Sequence, residues 1–152
     1  MQATAVIGLD FGTTFSGFAF ARVDVPDDIR VEENWPSQQQ ATGSVYQKTK
    51  TCVLYLDGKL VSWGWGAETE ALGLSSKEFK QKSARLLERI KLCLSDDGEE
   101  APTLPEGITA EAVIQFYLEG MSNLARQRYA EAFGDIKPQD IRWYRVPDDM
   151  AG

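Results

Sequence analysis

The residues best equipped for chemistry lie almost at the start of the chain, in Asp10-Phe11-Gly12-Thr13-Thr14-Phe15-Ser16. One carboxylate, one glycine and three hydroxyls occupy the bend between two apolar runs. An ordinary turn needs only a glycine or asparagine. Gly12, lacking a side chain, lets backbone come close to a ligand. Thr13 and Thr14 bring two hydroxyls and two backbone N–H groups, and a tight turn can aim successive N–H groups into one anion-binding concavity. Asp10 sets a carboxylate beside that concavity, and it would repel a phosphate unless a cation lay between them. Mg²⁺ suits that place, because it keeps several waters and needs only one or two carboxylates plus phosphate oxygens. The expected chemistry is therefore a hairpin loop gripping the phosphates of a magnesium nucleotide, with Asp10 meeting the metal through water. The Walker-type loop, with its Lys and following helix, is excluded because a second strand follows here. A plain turn with incidental hydroxyls is the competing reading; the full strand, D-x-G-T-T-x-S and strand unit is more specific than that.

The rest of the composition narrows the chemistry further. The chain has no histidine, so every scheme built on a catalytic or metal-bound imidazole is excluded. Cys52 and Cys93 have no metal-ligand spacing and read as small apolar residues in a reducing compartment. Sixteen basic against 23 acidic residues give a net charge of -7, which argues against a nucleic-acid partner. No apolar run is long enough to span a membrane, and the opening residues lack the basic region of a secretory leader. A cytoplasmic location is the expectation.

Positioning the loop falls to the flanking elements. The 152 residues suit one domain. Strands are expected near 4–10, 15–23 and 29–33, forming a meander with Gly12-Thr13-Thr14 in its first turn. Asp57-Gly58 between "TCVLYL" and "KLVSWGW" predicts a hairpin. Ser75 with Glu78 fits a capping box, and the spacing of Phe79, Leu86, Leu87, Ile90, Cys93 and Leu94 predicts a helix over 76–94. Lys77, Lys80, Lys82 and Arg85 would form its solvated face. A second helix is expected over 109–133, with Thr109 as N-cap, Gly134 as stop and an apolar stripe of Val113, Ile114, Tyr117, Leu118, Met121, Leu124 and Ala125. Both helices should pack on one face of the sheet, and a strand near 140–146 should pair parallel to the first. The fold class is α/β, a mixed sheet with helices packed on it.

The stretch "IGLDFGTTFSGFAF" resembles the first phosphate motif of the actin, sugar-kinase and 70-kilodalton heat-shock superfamily, and D-F-G-T-T-F-S is most similar to the heat-shock branch. Asn34-Trp35-Pro36, "LYLDGKLVSWGWGAE", "LLERIKLCL", "LPEGITAEAVIQFYLEGMSNLA" and "IRWYRVP" resemble, in order, later elements of a divergent heat-shock-70-like group. The resemblance implies that 1–152 is an incomplete first lobe of an actin-like ATPase (ribonuclease H-like) domain. It implies ATP or ADP with Mg²⁺ as cofactors, contacted by Asp10, Gly12, Thr13, Thr14 and Phe15. It also implies unfolded clients or co-chaperones as partners of a longer protein. One departure bears on hydrolysis: the family's phosphate-contacting Lys after its G-x-A-A turn corresponds to Glu68, in Gly64-Trp65-Gly66-Ala67-Glu68, where a carboxylate would repel phosphate. After Val146-Pro147 the family usually continues with Ala and an aromatic, whereas this chain has Asp148-Asp149-Met150. Three functions stand side by side: the ATP-binding portion of a chaperone, a non-catalytic remnant acting by partner binding, and a sugar-kinase-like fragment, which lacks a visible sugar-binding segment. Residues 1–152 alone are expected to bind nucleotide weakly and not to turn it over.

Overall fold

A computed structural model describes residues 3–38, 43, 45–95 and 100–147. The tail Asp148-Asp149-Met150 lies outside the described residues, as does part of the acidic loop before Pro102.

The N-terminal meander forms as its alternation and turns dictate. Strands β1 (Ala5–Phe11), β2 (Phe15–Arg22) and β3 (Val25–Val31) run antiparallel in sequence order. The β1–β2 register is unbroken from Ala5 opposite Arg22 to Phe11 opposite Ser16. Strand β3 starts earlier than its apolar pattern suggests and runs through Pro26, which an edge strand tolerates because one row of its N–H groups has no ladder partner. It stops before Glu32, whose buried carboxylate is held by Arg128 at 2.6 Å and accepts from the Asn34 N–H at 2.6 Å. Arg128 also donates to the Asn34 carbonyl, so one guanidinium ties the Asn34-Trp35-Pro36 segment to the long helix.

Strand β4 (Thr49–Lys50) pairs with the start of β2, and β8 (Ile141–Arg145) pairs parallel with β1, giving a five-stranded mixed sheet. A second sheet has the order β6-β5-β7, from β5 (Cys52–Leu56), β6 (Lys59–Trp63) and β7 (Arg85–Glu88). Asp57 and Gly58 both take positive φ, 47° and 87°, and make the hairpin turn that this dipeptide announces.

The helix expected over 76–94 is not one helix. Helix α1 (Gly64–Leu72) precedes it, and α2 (Ser76–Gln81) ends after six residues. The Ser75–Glu78 capping box is present with both of its hydrogen bonds. Ser83 (φ 48°) and Arg89 (φ 55°) then break the chain on either side of β7, and Ile90–Leu94 forms a 3₁₀ turn. Leu87 is buried, and β7 covers the edge of β5 that would otherwise present unpaired backbone groups. The helical spacing of Leu86, Leu87 and Ile90 thus reflects a strand followed by a tight turn. Gly64–Glu68, expected as a turn, is the opening of α1.

Helix α3 (Ala110–Phe133) is capped by Thr109, whose hydroxyl accepts from the Ala112 N–H, and is closed by Gly134 at φ 94°. It buries Val113, Ile114, Tyr117, Met121, Leu124, Ala125 and Tyr129; Leu118, expected in the stripe, is only half-buried. Each large buried side chain contributes roughly 1.5–3 kcal/mol. Ile7, Phe11 and Phe20 from the first sheet and Val53 and Leu87 from the second join the same core as the α3 stripe. Helix α3 is therefore the only long helix packed on the sheet among the described residues, where two were expected. Gly120 lies against the indole of Trp63, and a Cβ there would come within 2.3 Å of Trp63 Nε1.

Candidate functional site

The loop between β1 and β2 is shaped from within. A Cβ on Gly12 would meet the Phe15 carbonyl oxygen at 2.1 Å. The glycine is needed first for the turn to close on itself, a different reason from the ligand approach that its position suggested. The Gly12 N–H donates to Ser16 Oγ at 3.1 Å. Ser16 is fully buried, and its hydroxyl shares a 2.7 Å hydrogen bond with Thr51 Oγ1. Tyr117 reaches up from α3 and donates to the Lys50 carbonyl at 2.9 Å. Burial drives the Tyr117 phenol well above its ordinary range, so it stays a donor. Ser16, the third hydroxyl of the motif, is thus a structural post under the loop.

Thr13 and Thr14 remain at the surface, half-buried and exposed. The Thr14 carbonyl accepts from the Thr51 N–H at 2.9 Å, fixing the loop to the strand beyond it. Among the described residues the N–H groups of Thr13 and Thr14 donate to no protein acceptor. Phe15 is 42% exposed, and its ring lies 6.0 Å from that of Trp65.

Asp10 is opposite Gly17 across the β1–β2 ladder. The side chain of Lys48 passes over Gly17, with its Cγ 3.3 Å from where a Cβ would stand. Its ammonium meets Asp10 Oδ2 at 2.6 Å. Glycine at position 17 opens the path that lets a lysine from another segment reach the carboxylate. Neither Lys48 nor this path was singled out from the sequence. A signal does exist there: in Lys48-Thr49-Lys50-Thr51 lysines and threonines alternate, as on a strand with one polar and one buried face. Thr49 and Thr51 are each 1% exposed.

Glu68 is not a bare carboxylate. Lys50 Nζ lies 2.6 Å from Glu68 Oε1 and 3.2 Å from Glu88 Oε1. Burial pulls the Lys50 ammonium down, but the two carboxylates outweigh it and leave its pKa raised. The opening of α1 is joined to the loop through β4: the Trp65 N–H donates to Thr49 Oγ1 at 3.0 Å and its indole to the Lys48 carbonyl at 3.1 Å. Gly64, at φ 63°, sits so close to Thr49 that a Cβ would lie 2.5 Å from the Thr49 hydroxyl. The structure therefore brings Asp10, Gly12, Thr13, Thr14 and Phe15 into one loop and adds Lys48, Lys50, Thr51, Trp65 and Tyr117 around it. Among the described residues there is no cluster of three or more acidic or thiol side chains able to cage a metal. No described helix is long and apolar enough to cross a membrane.

Comparison with known proteins gives relatives of one kind. The chain is 28% identical over 148 residues to mouse (Mus musculus) heat shock 70 kDa protein 12A, covering 91% of this chain and 21% of that protein. The human (Homo sapiens) 12A protein is 27% identical over the same length. Human heat shock 70 kDa protein 12B is 37% identical over 78 residues, 51% of this chain and 11% of its own. The chain thus spans 21% of the length of the 12A relatives it matches. No family model matches the chain. No solved structure matches it. With these relatives and the mixed α/β sheet both in view, the chain is similar to heat-shock-70-like proteins over most of its length, and that similarity implies the actin-like ATPase fold.

Proposed function

We propose that this chain is the ATP-binding portion of a heat-shock-70-like protein, holding the phosphates of Mg²⁺-ATP or Mg²⁺-ADP in the Asp10–Ser16 loop. The observation that carries the reading is the loop itself: two N–H groups, of Thr13 and Thr14, without protein acceptors, beside an acid whose charge Lys48 balances. Those donors fit phosphate oxygens, and Asp10 fits a role at the water shell of the magnesium. When bound, the nucleotide would supply a transferable phosphoryl group and the metal would offset its charge. The chain's own part is to bind and orient: Thr13 and Thr14 donate, Phe15 and Trp65 wall one side, and Ser16, Thr51 and Tyr117 hold the loop rigid. In this reading Lys48 supplies the positive charge that the Glu68 position does not, and Lys50 cancels the repulsion from Glu68.

Turnover is another matter. Phosphoryl transfer is mostly positioning plus electrostatic stabilisation, and loss of one well-placed donor typically lowers rate by roughly 10²–10³. Residues 1–152 offer one loop of donors, so this span by itself binds weakly and does not hydrolyse. A cytoplasmic setting, expected from the sequence, and clients or co-chaperones, implied by the heat-shock-70 resemblance, belong to the same proposal. The decisive measurement is titration of the purified chain with a fluorescent adenine nucleotide, with and without Mg²⁺, competed by ATP and by adenosine. Competition by ATP that exceeds adenosine, depends on Mg²⁺ and weakens in Asp10→Asn and Thr13→Ala is expected. Equal competition by adenosine, or no binding at all, would leave the alternative, a partner-binding remnant. Phosphate release above background that vanishes in Asp10→Asn would overturn the statement on turnover.

A further inference from the structure

The two edges of the first sheet belong to β3 and β8. The β3 edge is blunted, since Pro26 lacks a donor and Asp27 and Asp28 carry charge along it. The β8 edge has no proline within the strand and presents two adjacent aromatic side chains, Trp143 at 38% exposure and Tyr144 at 53%. Backbone direction along β8 follows from the hydrogen bonds at its ends. The Asp140 carbonyl accepts from the Thr4 N–H, and the Val146 N–H donates to the Leu9 carbonyl, both at 2.9 Å. Even-numbered residues therefore turn their backbone groups toward β1, and odd-numbered residues turn theirs away from it. The N–H and carbonyl of Trp143 meet no protein partner among the described residues. The nucleotide reading uses none of these features.

Such an edge accepts a further strand, and side-chain register decides which one. A second copy can use the same groups on both sides only if it runs antiparallel about a two-fold axis. That axis must pass an odd-numbered residue, because the even-numbered ones are engaged by β1. An axis at Arg145 would set that residue opposite itself, and Pro147, which has no N–H, opposite Trp143. An axis at Ile141 would lay the strand against the 3₁₀ turn Pro138–Asp140. An axis at Trp143 meets every condition. Trp143 then faces its own copy in a hydrogen-bonded pair, Ile141 faces Arg145, and Arg142 faces Tyr144. No like charges stand directly opposite, and each Arg142 guanidinium comes beside a Tyr144 ring, which suits a cation–π contact. Arg142 and Tyr144 share a sheet face with Val6 and Gly8. A Cβ on Gly8 would meet nothing within 4 Å, so that face is open to them. A foreign strand could satisfy the same backbone groups, but the Arg142–Tyr144 match is self-complementary and occurs twice. We infer that the β8 edge is a self-association surface, at which two copies of this chain pair antiparallel about Trp143 into one continuous sheet. Because β8 runs parallel to β1, the two β1–β2 loops then lie at opposite ends of the pairing.

A ladder of five residues between chains that each carry a net charge of -7 is a weak interface, so the test spans about 10 µM to about 1 mM of the purified chain. Sedimentation velocity should show one copy giving way to two as concentration rises, and nothing larger, because the two-fold pairing closes on itself. Trp143→Lys sets two ammonium groups opposite each other and should weaken association at least about tenfold, with an unchanged circular dichroism spectrum. Cross-linking reads the register. The native Cys93 is first changed, Cys93→Ser, which leaves only the buried Cys52. In that background Trp143→Cys should form a disulfide between copies under mild oxidation, since residues in a hydrogen-bonded antiparallel pair stand about 5.5 Å apart at Cα, within disulfide reach. Arg142→Cys should not, because its own copy lies roughly 8 Å away, two positions along the partner strand. A chain that stays monomeric throughout, leaving the edge to some other strand, would overturn the assignment. So would association untouched by Trp143→Lys, growth beyond two copies, or cross-linking of Arg142→Cys as readily as of Trp143→Cys.

Discussion

Replacing Gly12 with alanine asks the loop to accept one carbon where the structure leaves no room. The new Cβ would lie 2.1 Å from the Phe15 carbonyl oxygen, a backbone atom that no rotamer change can move. Carbon–oxygen contacts settle at about 3.3 Å or longer, so the turn must open by more than about 1 Å. The register from Phe11–Ser16 upward resists that, because β2 is held on one side by β1 and on the other by β4. Backbone strain of this kind costs about 1–3 kcal/mol. Opening the turn also endangers the Gly12–Ser16 hydrogen bond, worth about 1 kcal/mol. Against these stands a gain of about 0.4–1 kcal/mol from the stiffer unfolded chain. The net expectation is about 1–3.5 kcal/mol of destabilisation. Gly8→Ala is the matched control, one strand position class away in β1, where the added Cβ meets nothing within 4 Å. It should be neutral or slightly stabilising. Urea unfolding followed by tryptophan fluorescence reads both, and the nucleotide titration reads whether the Thr13 and Thr14 N–H groups keep their arrangement. The Gly12 variant should bind nucleotide at least about tenfold more weakly, roughly 1.4 kcal/mol. Unfolding midpoints that coincide for the two variants, with nucleotide affinity unchanged, would refute the account of how this loop is built.

Lys48→Met removes the ammonium 2.6 Å from Asp10 while keeping most of the stem over Gly17; nucleotide affinity should fall about tenfold, and the loss should shrink in an Asp10→Asn background, as a double-mutant cycle would report. A rise in affinity would show instead that Lys48 blocks the site. Gly120→Ala and Gly66→Ala should differ in sign although both lie in helices: Ala at 66 gains about 1 kcal/mol of helix propensity, whereas Ala at 120 collides with the Trp63 indole and loses about 1–3 kcal/mol, read as opposite shifts in melting temperature. Burial pushes the Cys52 thiol up to about 12 from an ordinary 9.0. Cys52 should therefore resist alkylation at pH 8 in the folded chain. The unfolded thiol ionises first, so Cys52 should leave stability unaffected below about pH 9 and lower it as pH rises from there toward 12, by at most about 1.4 kcal/mol per pH unit; Cys52→Ala should reduce the slope, and the buried Tyr117 phenol adds one of the same sign above about pH 10.

What the sequence determined by itself is what short-range chemistry decides. The apolar runs around D-F-G-T-T-F-S, the Asp57-Gly58 turn, the Ser75 capping box and the Thr109-to-Gly134 helix are each fixed by dihedral preference, capping or side-chain period within a few residues. The parallel pairing of β8 with β1 was legible because a long helix stands between them. Tertiary structure alone decided the rest. Leu86 and Leu87 suit a helix face as well as a strand; the open edge of β5 made them a strand, and edges belong to the assembled sheet. Lys48 could point anywhere until Gly17 cleared a path to Asp10 on the neighbouring strand. Gly120 gave no local sign of a role, because its partner Trp63 lies 57 residues earlier in the chain. The loop's composition is what directs the proposal to phosphate, but its charge balance depends on lysines that only the folded sheet brings beside Asp10 and Glu68.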